Sequence, residues 1–145
     1  MHRTATTNLV LADKDGVATF EITPERVIVR PAQNGVSACT NHFTSDVLRP
    51  RRERDQYRSN ERFQILQSAE AGPEKLGLDE LHNALHAARQ PEETMQTMIF
   101  EPAKLRLHLA IGSCPASACE LKTLDLEPLF KAASGDKRHL TQEEE

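Results

Sequence analysis

Aromatic residues are scarce in this 145-residue sequence, which has no Trp and only 4% aromatic residues in total. Hydrophobic residues of all kinds make up 38%. A chain of this length fits one domain and buries roughly two-thirds of the surface that its unfolded form exposes. The small apolar fraction therefore predicts a thin core, and it first suggests that the chain is a piece of something larger.

Cysteines and long apolar runs are also few. Three cysteines, an odd number, argue against a disulfide framework and favour a reducing compartment. No apolar run approaches the roughly 20 residues of a membrane-spanning helix. The first residues also lack the apolar segment of a signal peptide. We therefore expect a cytoplasmic protein with no membrane partner.

The charge balance excludes a strongly basic protein, because the formal net charge is -4. Such a balance gives no general attraction to nucleic acid. A local basic cluster at residues 49–54 is interrupted by Glu53 and has no interleaved aromatic residue. This pattern is typical of a solvated loop, so no nucleic-acid partner is expected.

The first part of the chain alternates in the manner of β-strands separated by turn signals such as Asp15-Gly16 and Asn34-Gly35. The pattern predicts an antiparallel meander of four strands, at residues 8–12, 17–22, 26–30 and 36–40.

The rest of the chain is predicted to be mixed. After an exposed loop, helical spacing predicts two helices at residues 61–71 and 78–89. A period of two then predicts a hairpin at residues 94–100 and 105–111, followed by a candidate strand at residues 120–126.

This order of elements predicts an α+β fold, in which antiparallel sheets are covered by helices. We expect a folded domain over residues 1–130. The charged residues 131–145 are expected to form a disordered tail.

Two polar residues suit a hydrolytic site. Asn41 follows a predicted strand end, where its amide can donate to a developing oxyanion, although Asn in such a place also commonly caps a turn. Arg62 lies just inside the first predicted helix, where its guanidinium can orient a carboxylate or support a nucleophile. The alternative for Arg62 is an exposed helical arginine.

Other candidate ligands fit less well. His82 and His86 are spaced for two metal ligands on one helix face, but no third ligand and no general-base Glu accompany them. Cys114 and Cys119 match neither a zinc nor a thioredoxin spacing, and Cys39 lies inside a predicted strand. We expect no metal, no cofactor and three structural thiols.

Several segments occur together in an order that is typical of one enzyme family. They are Asn8-Leu9-Val10-Leu11-Ala12-Asp13, Phe20-Glu21-Ile22-Thr23-Pro24-Glu25, Thr40-Asn41-His42-Phe43, Ser59-Asn60-Glu61-Arg62-Phe63 and the strand pair within residues 94–112. In this order and spacing the chain resembles the isopenicillin-N acyltransferase family over residues 7–112. It is similar, more distantly, to choloylglycine hydrolases and penicillin V acylases.

The resemblance implies a partial αββα sandwich of the N-terminal-nucleophile (Ntn) hydrolases, with two stacked antiparallel sheets. It implies attack on an amide or thioester by an N-terminal cysteine whose own α-amine is the base. Asn41 matches the family asparagine close to the nucleophile and oxyanion, and Arg62 matches the arginine that supports the nucleophile. None of the three cysteines matches the nucleophile.

Three hypotheses remain open at this point. The first is a fragment or subunit of an amidohydrolase or acyltransferase, acting on a small acyl-amide or acyl-thioester substrate together with a nucleophile-bearing chain or as a homo-oligomer. The second is a non-catalytic α+β binding module. The third is a metal-dependent hydrolase that uses His82 and His86.

Overall fold

The computed structural model describes residues 5–50, 55–69 and 76–135. In these ranges the chain forms two three-stranded antiparallel sheets and three α-helices, which confirms the α+β class. The elements are β1 (Thr7–Ala12), β2 (Val17–Ile22), β3 (Val27–Pro31), α1 (Ser59–Ser68), α2 (Leu78–Ala87), β4 (Gln96–Glu101), β5 (Arg106–Ile111), β6 (Lys122–Asp125) and α3 (Glu127–Gly135). The sheet orders are β1-β2-β3 and β4-β5-β6.

Side chains in the turns fix the register of the first sheet. The Asp13 carboxylate accepts hydrogen bonds from the backbone N–H groups of Asp15 and Gly16, at 2.8 and 2.9 Å, which closes the turn between β1 and β2. The Thr23 hydroxyl accepts from the backbone N–H of Arg26 at 3.0 Å in the next turn. These local bonds are the reason that Asp and Thr favour turns.

The predicted fourth strand at residues 36–40 is wrong. After β3 only a single bridge forms, between Gln33 and Val36, and the chain then leaves the edge of the sheet. Polar side chains of the sheet capture it instead: the Ser37 hydroxyl lies 2.7 Å from that of Thr19, and Arg30 Nη2 donates to the Ala38 carbonyl at 3.0 Å. These bonds give polar groups of residues 37 and 38 the hydrogen-bond partners that pairing with β3 would otherwise have supplied.

The covered face of the first sheet is polar and centres on Glu21, which is 0% exposed. Its Oε1 accepts from Arg30 Nε at 2.8 Å and from the Thr44 backbone N–H and hydroxyl at 2.8 and 2.9 Å. Ser45 N donates to Oε2 at 3.1 Å. Burial raises the pKa of Glu21, but the hydrogen bonds from Ser45 and Thr44 outweigh burial, so that the net pKa lies below the ordinary carboxyl value.

The opposite face of the first sheet is apolar and open. Leu9, Phe20 and Val29 are cross-strand neighbours on this face. Leu9 and Val29 are 43% and 53% exposed, although aliphatic side chains are normally buried. The second sheet likewise has exposed apolar residues on one face, among them Phe100 and Ile111.

The second sheet has its covered face against α2 and a short 3-10 turn at Ala116–Ala118. The core at this contact is built from small or slender side chains, namely Ala88, Ile99, Ala110 and Ala116. Because such side chains let the backbones approach closely, a core with few aromatics still packs.

Several predicted boundaries change. The first helix begins at Ser59 instead of residue 61, and the part of its predicted span at residues 70–71 lies outside the described residues. The candidate strand at residues 120–126 is present as β6. The pattern does not predict α3, which spans residue 130, where we expect the folded domain to end. Residues 136–145 of the expected tail are also not described. None of the described helices is long and apolar enough to cross a bilayer.

We expect Glu21→Gln to lower the free energy of unfolding by about 2–3 kcal/mol, because Arg30 loses its carboxylate partner on a covered face. The measurement is urea denaturation at neutral pH. Asp15→Asn is the matched control, since Asp15 pairs with Lys14 in full contact with water, with both side chains 74% exposed. Its free energy of unfolding should be almost unchanged. Equal losses in both variants would contradict a special role for Glu21.

The effect of Glu21 should also depend on pH in one direction. Folding lowers the pKa of Glu21. The ionised carboxylate therefore stabilises the folded chain fully at pH values above the ordinary carboxyl pKa, and this contribution is lost as the pH falls through the lower folded-state pKa. The difference in stability between the wild-type chain and Glu21→Gln should therefore narrow in acid.

Candidate functional site

The backbone on both sides of Asn41 is fixed by the first sheet. Asn8 Nδ2, on β1, donates to the carbonyls of Thr40 and His42 at 2.9 and 2.8 Å. The backbone N–H of Asn41 itself donates to Ser59 Oγ at 2.8 Å. The three bonds hold the backbone of Asn41, while its side chain remains exposed.

Ser59 pins this segment to the start of α1 and is only 2% exposed. Its hydroxyl donates to Thr40 Oγ1 at 2.9 Å and lies 2.7 Å from His42 Nδ1. Since the Ser59 proton is directed to Thr40, the imidazole is the donor in the contact between His42 and Ser59. His42 is therefore not arranged as a base for Ser59, and the cluster is a structural pin.

Arg62 connects three parts of the structure. From α1, its Nε donates to the carbonyl of Ala88, just after α2, at 2.8 Å. Its Nη1 donates to Asn41 Oδ1 at 2.8 Å and to the carbonyl of Tyr57 at 3.4 Å. Burial lowers the pKa of Arg62 and Glu93 opposes this effect, but an arginine remains charged at neutral pH.

The structure thus brings the two residues of the predicted site into direct contact. With Oδ1 held by the guanidinium, the Nδ2 group of Asn41 is the free end of the amide, and no described residue accepts a hydrogen bond from it. Asn41 lines a hollow of about 250 Å³ together with Thr6, Thr7, Thr40 and Phe43, among other residues. The arrangement is that of a fixed hydrogen-bond donor beside a small space, which suits the stabilisation of a developing oxyanion.

A second hollow is lined by Arg62 itself. It has a volume of about 370 Å³ and contains charged residues of both signs, including Arg58, Arg89 and Glu93. When the Gln90 amide is oriented with its oxygen towards the guanidinium, it accepts from Arg62 Nη1 at 3.2 Å. Arg62 therefore lines the charged hollow, and its guanidinium also holds Asn41, which lines the first hollow.

The three cysteines are free, and no hydrogen bond among the described residues joins any of them to Asn41 or Arg62. Burial raises the pKa of Cys39, Arg30 opposes this effect and Glu21 adds to it. A thiol with a raised pKa is a poor nucleophile at neutral pH. The Cys114 thiol donates to the Pro91 carbonyl at 3.3 Å, and Cys119 Sγ lies 3.3 Å from Ser113 Oγ.

The two helical histidines do not acquire a third ligand. His86 Nδ1 lies 2.9 Å from the Ser117 hydroxyl, whereas His82 Nε2 is buried without a hydrogen-bond partner. Within the described ranges, no group of three or more His, Cys, Asp or Glu residues is placed to hold a metal ion. Of the basic cluster at residues 49–54, the structure describes residues 49 and 50 alone.

Sequence reasoning missed Asn8 and Ser59, which hold the site residue in place. Ser59 had a usable signal, because Ser before a helical pattern commonly bonds to exposed backbone groups there. Asn8 had none, since its acceptors lie 32 and 34 positions away along the chain.

Comparison with family models, curated proteins and solved structures gives no match to this chain. The case for a function therefore depends on the contacts of Asn41 and Arg62.

We expect Arg62→Lys to lower the free energy of unfolding by about 1–2 kcal/mol, because an ammonium group cannot replace the three bonds of the planar guanidinium. Thermal or urea denaturation measures this change. Arg58→Lys is the control at the residue just before the same helix, since Arg58 is 73% exposed and pairs only with its neighbour Glu61 among the contacts in the described structure. A larger effect in Arg58→Lys than in Arg62→Lys would show that Arg62 does not connect the two helices and Asn41 as described.

Proposed function

We propose that this chain supplies the oxyanion-binding side of an Ntn-type amidohydrolase or acyltransferase, and that a nucleophile-bearing segment or chain supplies the cysteine. The observation that carries the proposal is the 2.8 Å hydrogen bond from Arg62 Nη1 to Asn41 Oδ1, between residues 21 positions apart. The family resemblance assigns these two residues to one catalytic centre, and in the fold they are in contact.

The contact gives each residue a distinct role. The guanidinium of Arg62 fixes the orientation of the Asn41 amide and, as a charged donor to its oxygen, polarises it. A polarised amide is a stronger donor through Nδ2, where the oxyanion of a tetrahedral intermediate would bind. Asn41 is the catalytic residue of this chain, and Arg62 is a positioning residue.

The reaction follows from these roles. The thiol of the partner cysteine attacks the acyl carbon, its proton passes to the α-amine of the same cysteine, and the negative charge develops on the oxygen that faces Asn41. The amine then gives the proton to the leaving group as the C–N or C–S bond breaks. Water or a second amine next attacks the acyl-cysteine and gives a proton to the α-amine; the bond from the acyl carbon to sulfur then breaks and the proton returns to the sulfur, which gives hydrolysis or acyl transfer respectively.

The size and lining of the hollow at Asn41 favour a small, uncharged acyl group. A space of about 250 Å³ lies below the usual range for drug-sized ligands, and it is lined by hydroxyl and amide side chains, the His42 imidazole and the ring of Phe43. No carboxylate, ammonium or guanidinium group is among the described lining residues. The proposed substrate is thus a short acyl amide or thioester.

The test supplies the missing nucleophile as a small molecule. Cysteamine carries a thiol and an amine, and p-nitrophenyl acetate carries a small acyl group with a coloured leaving group. We expect the purified chain to accelerate cysteamine-dependent release of nitrophenolate, with saturation in cysteamine. Asn41→Ala should reduce this acceleration at least about tenfold, because an oxyanion donor is lost.

Asn83→Ala is the control for the Asn41 variant, since Asn83 is an exposed asparagine on α2. It should retain the rate of the wild-type chain. The proposal fails if the chain gives no acceleration over a protein such as serum albumin, or if Asn41→Ala and Asn83→Ala have the same rate.

A non-catalytic binding module is the second candidate, and the open apolar sheet faces favour it. Large exposed apolar patches mark interaction surfaces on soluble proteins. Since two apolar faces of this kind can cover each other across a two-fold axis, we propose a second copy of the chain as the occupant of the face with Leu9, Phe20 and Val29.

Sedimentation equilibrium tests this association. We expect concentration-dependent dimers of the wild-type chain, and we expect the double variant Leu9→Lys, Val29→Lys to be monomeric, because buried ammonium groups would oppose the contact. Val47→Lys is the control, since Val47 is 57% exposed but lies outside both sheets. A wild-type chain that stays monomeric at all concentrations would contradict association by this face.

A further inference from the structure

Several histidine rings in the described residues contact a hydroxyl group, and these contacts differ in how exposed the hydroxyl-bearing residue is. Two of the hydroxyls are out of reach of any substrate, because Ser59 and Ser117 are only 2% and 3% exposed. The third hydroxyl, on Thr123, belongs to strand β6, whose four residues are all exposed. The pairs are His42–Ser59, His86–Ser117 and His108–Thr123; a fourth hydroxyl, on Thr40, lies 3.2 Å from His42 Nδ1 but donates to the Ser59 carbonyl.

The third pair is also part of a longer chain of contacts. His108 Nδ1 lies 2.9 Å from Thr123 Oγ1, and its Nε2 lies 2.8 Å from Glu101 Oε2. The imidazole is 4% exposed, so the two partners fix the plane of the ring. A hydroxyl, an imidazole and a carboxylate in this order are the components that activate an oxygen nucleophile.

The carboxylate decides which ring nitrogen carries the proton. Lys104 donates to Glu101 Oε1 at 2.5 Å, and this bond, followed by that from His108, lowers the pKa of Glu101 and keeps it ionised. An ionised carboxylate only accepts, so the tautomer that can bond to both partners carries its proton on Nε2. In that tautomer Nδ1 has a free lone pair, which can accept from the Thr123 hydroxyl 2.9 Å away.

The position of Thr123 in the sheet leaves room for a substrate. In the described structure β6 is an edge strand of its sheet. The backbone N–H of Leu126 donates to the Leu105 carbonyl at 2.8 Å, so these two residues form a hydrogen-bonded pair, and hydrogen-bonded and non-hydrogen-bonded pairs alternate from there along β5 and β6. Counting along the register, Thr123 and His108 form a non-hydrogen-bonded pair, in which side chains approach closely. The backbone N–H of Thr123 therefore points away from β5, to the open edge.

Thr123 is one of the residues that line an open groove of about 520 Å³. Thr123 lines it together with Lys104, Arg106 and Asp125, among other residues. A carbonyl group in this groove would meet the hydroxyl of Thr123 and, at the sheet edge, its backbone N–H. These are the two contacts that an acyl-transfer step needs, a nucleophile and an oxyanion donor.

We propose that Thr123 is the nucleophile of a second, thiol-independent site that hydrolyses small carboxylic esters. His108 accepts the hydroxyl proton, and Glu101 positions His108. This site shares no residue with the centre at Asn41 and Arg62, so neither proposal depends on the other.

The proposed step balances without a further reactant. Thr123 Oγ bonds to the acyl carbon while its proton moves to His108 Nδ1, and the bond from the acyl carbon to the alcohol oxygen then breaks as His108 returns the proton to that oxygen. Water attacks the acyl-threonine in the same manner, which releases the carboxylic acid and restores the hydroxyl.

The experiment is hydrolysis of p-nitrophenyl acetate by the full chain with no added thiol. We expect Thr123→Val, which keeps the shape of the side chain but lacks the hydroxyl, to reduce the rate at least about tenfold. Thr123→Ser should restore most of the rate. Ser68→Ala is the control, since Ser68 is an exposed hydroxyl on α1 that bonds to the Ile65 carbonyl and not to an imidazole.

Peptide mass mapping after brief exposure to the ester locates the acyl group. An acetyl group on Thr123 in the wild-type chain, and its absence in Thr123→Val, is the expected result. The proposal is overturned if the wild-type chain does not hydrolyse the ester, if Thr123→Val hydrolyses it at the wild-type rate, or if acetyl is found only elsewhere, such as on a cysteine.

The variant Glu101→Gln tests whether Glu101 positions His108 for the reaction or only stabilises the fold. The neutral amide cannot hold the Nε2 proton in the way that a carboxylate does, so we expect a lower kcat at similar KM and a shifted pH–rate profile. Unchanged kcat and an unchanged profile, in a folded Glu101→Gln variant, would remove Glu101 from the proposed site.

Discussion

The buried carboxylate of Glu21 is the interaction on which the first half of the structure depends. A charge with no exposed surface must be matched by donors, and Glu21 finds them in Arg30 from the neighbouring strand and in the segment that starts at Thr44. The donors draw residues 37–45 across the sheet instead of along its edge. The path that leads to Asn41 therefore depends on this buried charge together with the bonds of Thr19 and Arg30 to residues 37 and 38.

Hydrogen bonds from three other residues then hold Asn41 in place on this segment. Asn8 holds the backbone around Asn41, Ser59 ties the same segment to α1, and Arg62 holds the amide itself. Each support comes from a different element, and each is a hydrogen bond between groups of fixed geometry. A donor held in this way loses little freedom when it meets a developing charge, which is the physical basis of oxyanion stabilisation.

Sequence pattern was a sound guide where local periodicity controls the structure. The alternation at β1 to β3, the hairpin of β4 and β5 and the spacing of leucines in α2 all express one-sided burial, which a single sequence displays directly. The wrong strand at residues 36–40 has the same alternation, but Thr19 and Arg30 offer bonds that only the folded sheet brings near. α3 is short and adjoins a charged segment, so its pattern did not stand out.

The candidate site was predictable only in part. Asn41 and Arg62 were predicted because a polar side chain at a strand end and at a helix start suits a hydrolytic site. The family resemblance assigned them a common role. The groups that position them, above all Asn8, are remote in sequence and leave no local pattern. The relay of Thr123, His108 and Glu101 had no motif either, because cross-strand register, and not spacing along one segment, brings its members together.

The inverted character of the first sheet, with polar residues covered and apolar residues in water, has a thermodynamic consequence. Any partner that covers Leu9, Phe20 and Val29 releases water from aliphatic and aromatic surface, so its binding carries a negative change in heat capacity. Such a contact weakens on cooling and strengthens with salts that are excluded from protein surfaces. Purification in the cold and at low salt would then yield separated chains, whereas warmth and sulfate would favour the assembled form.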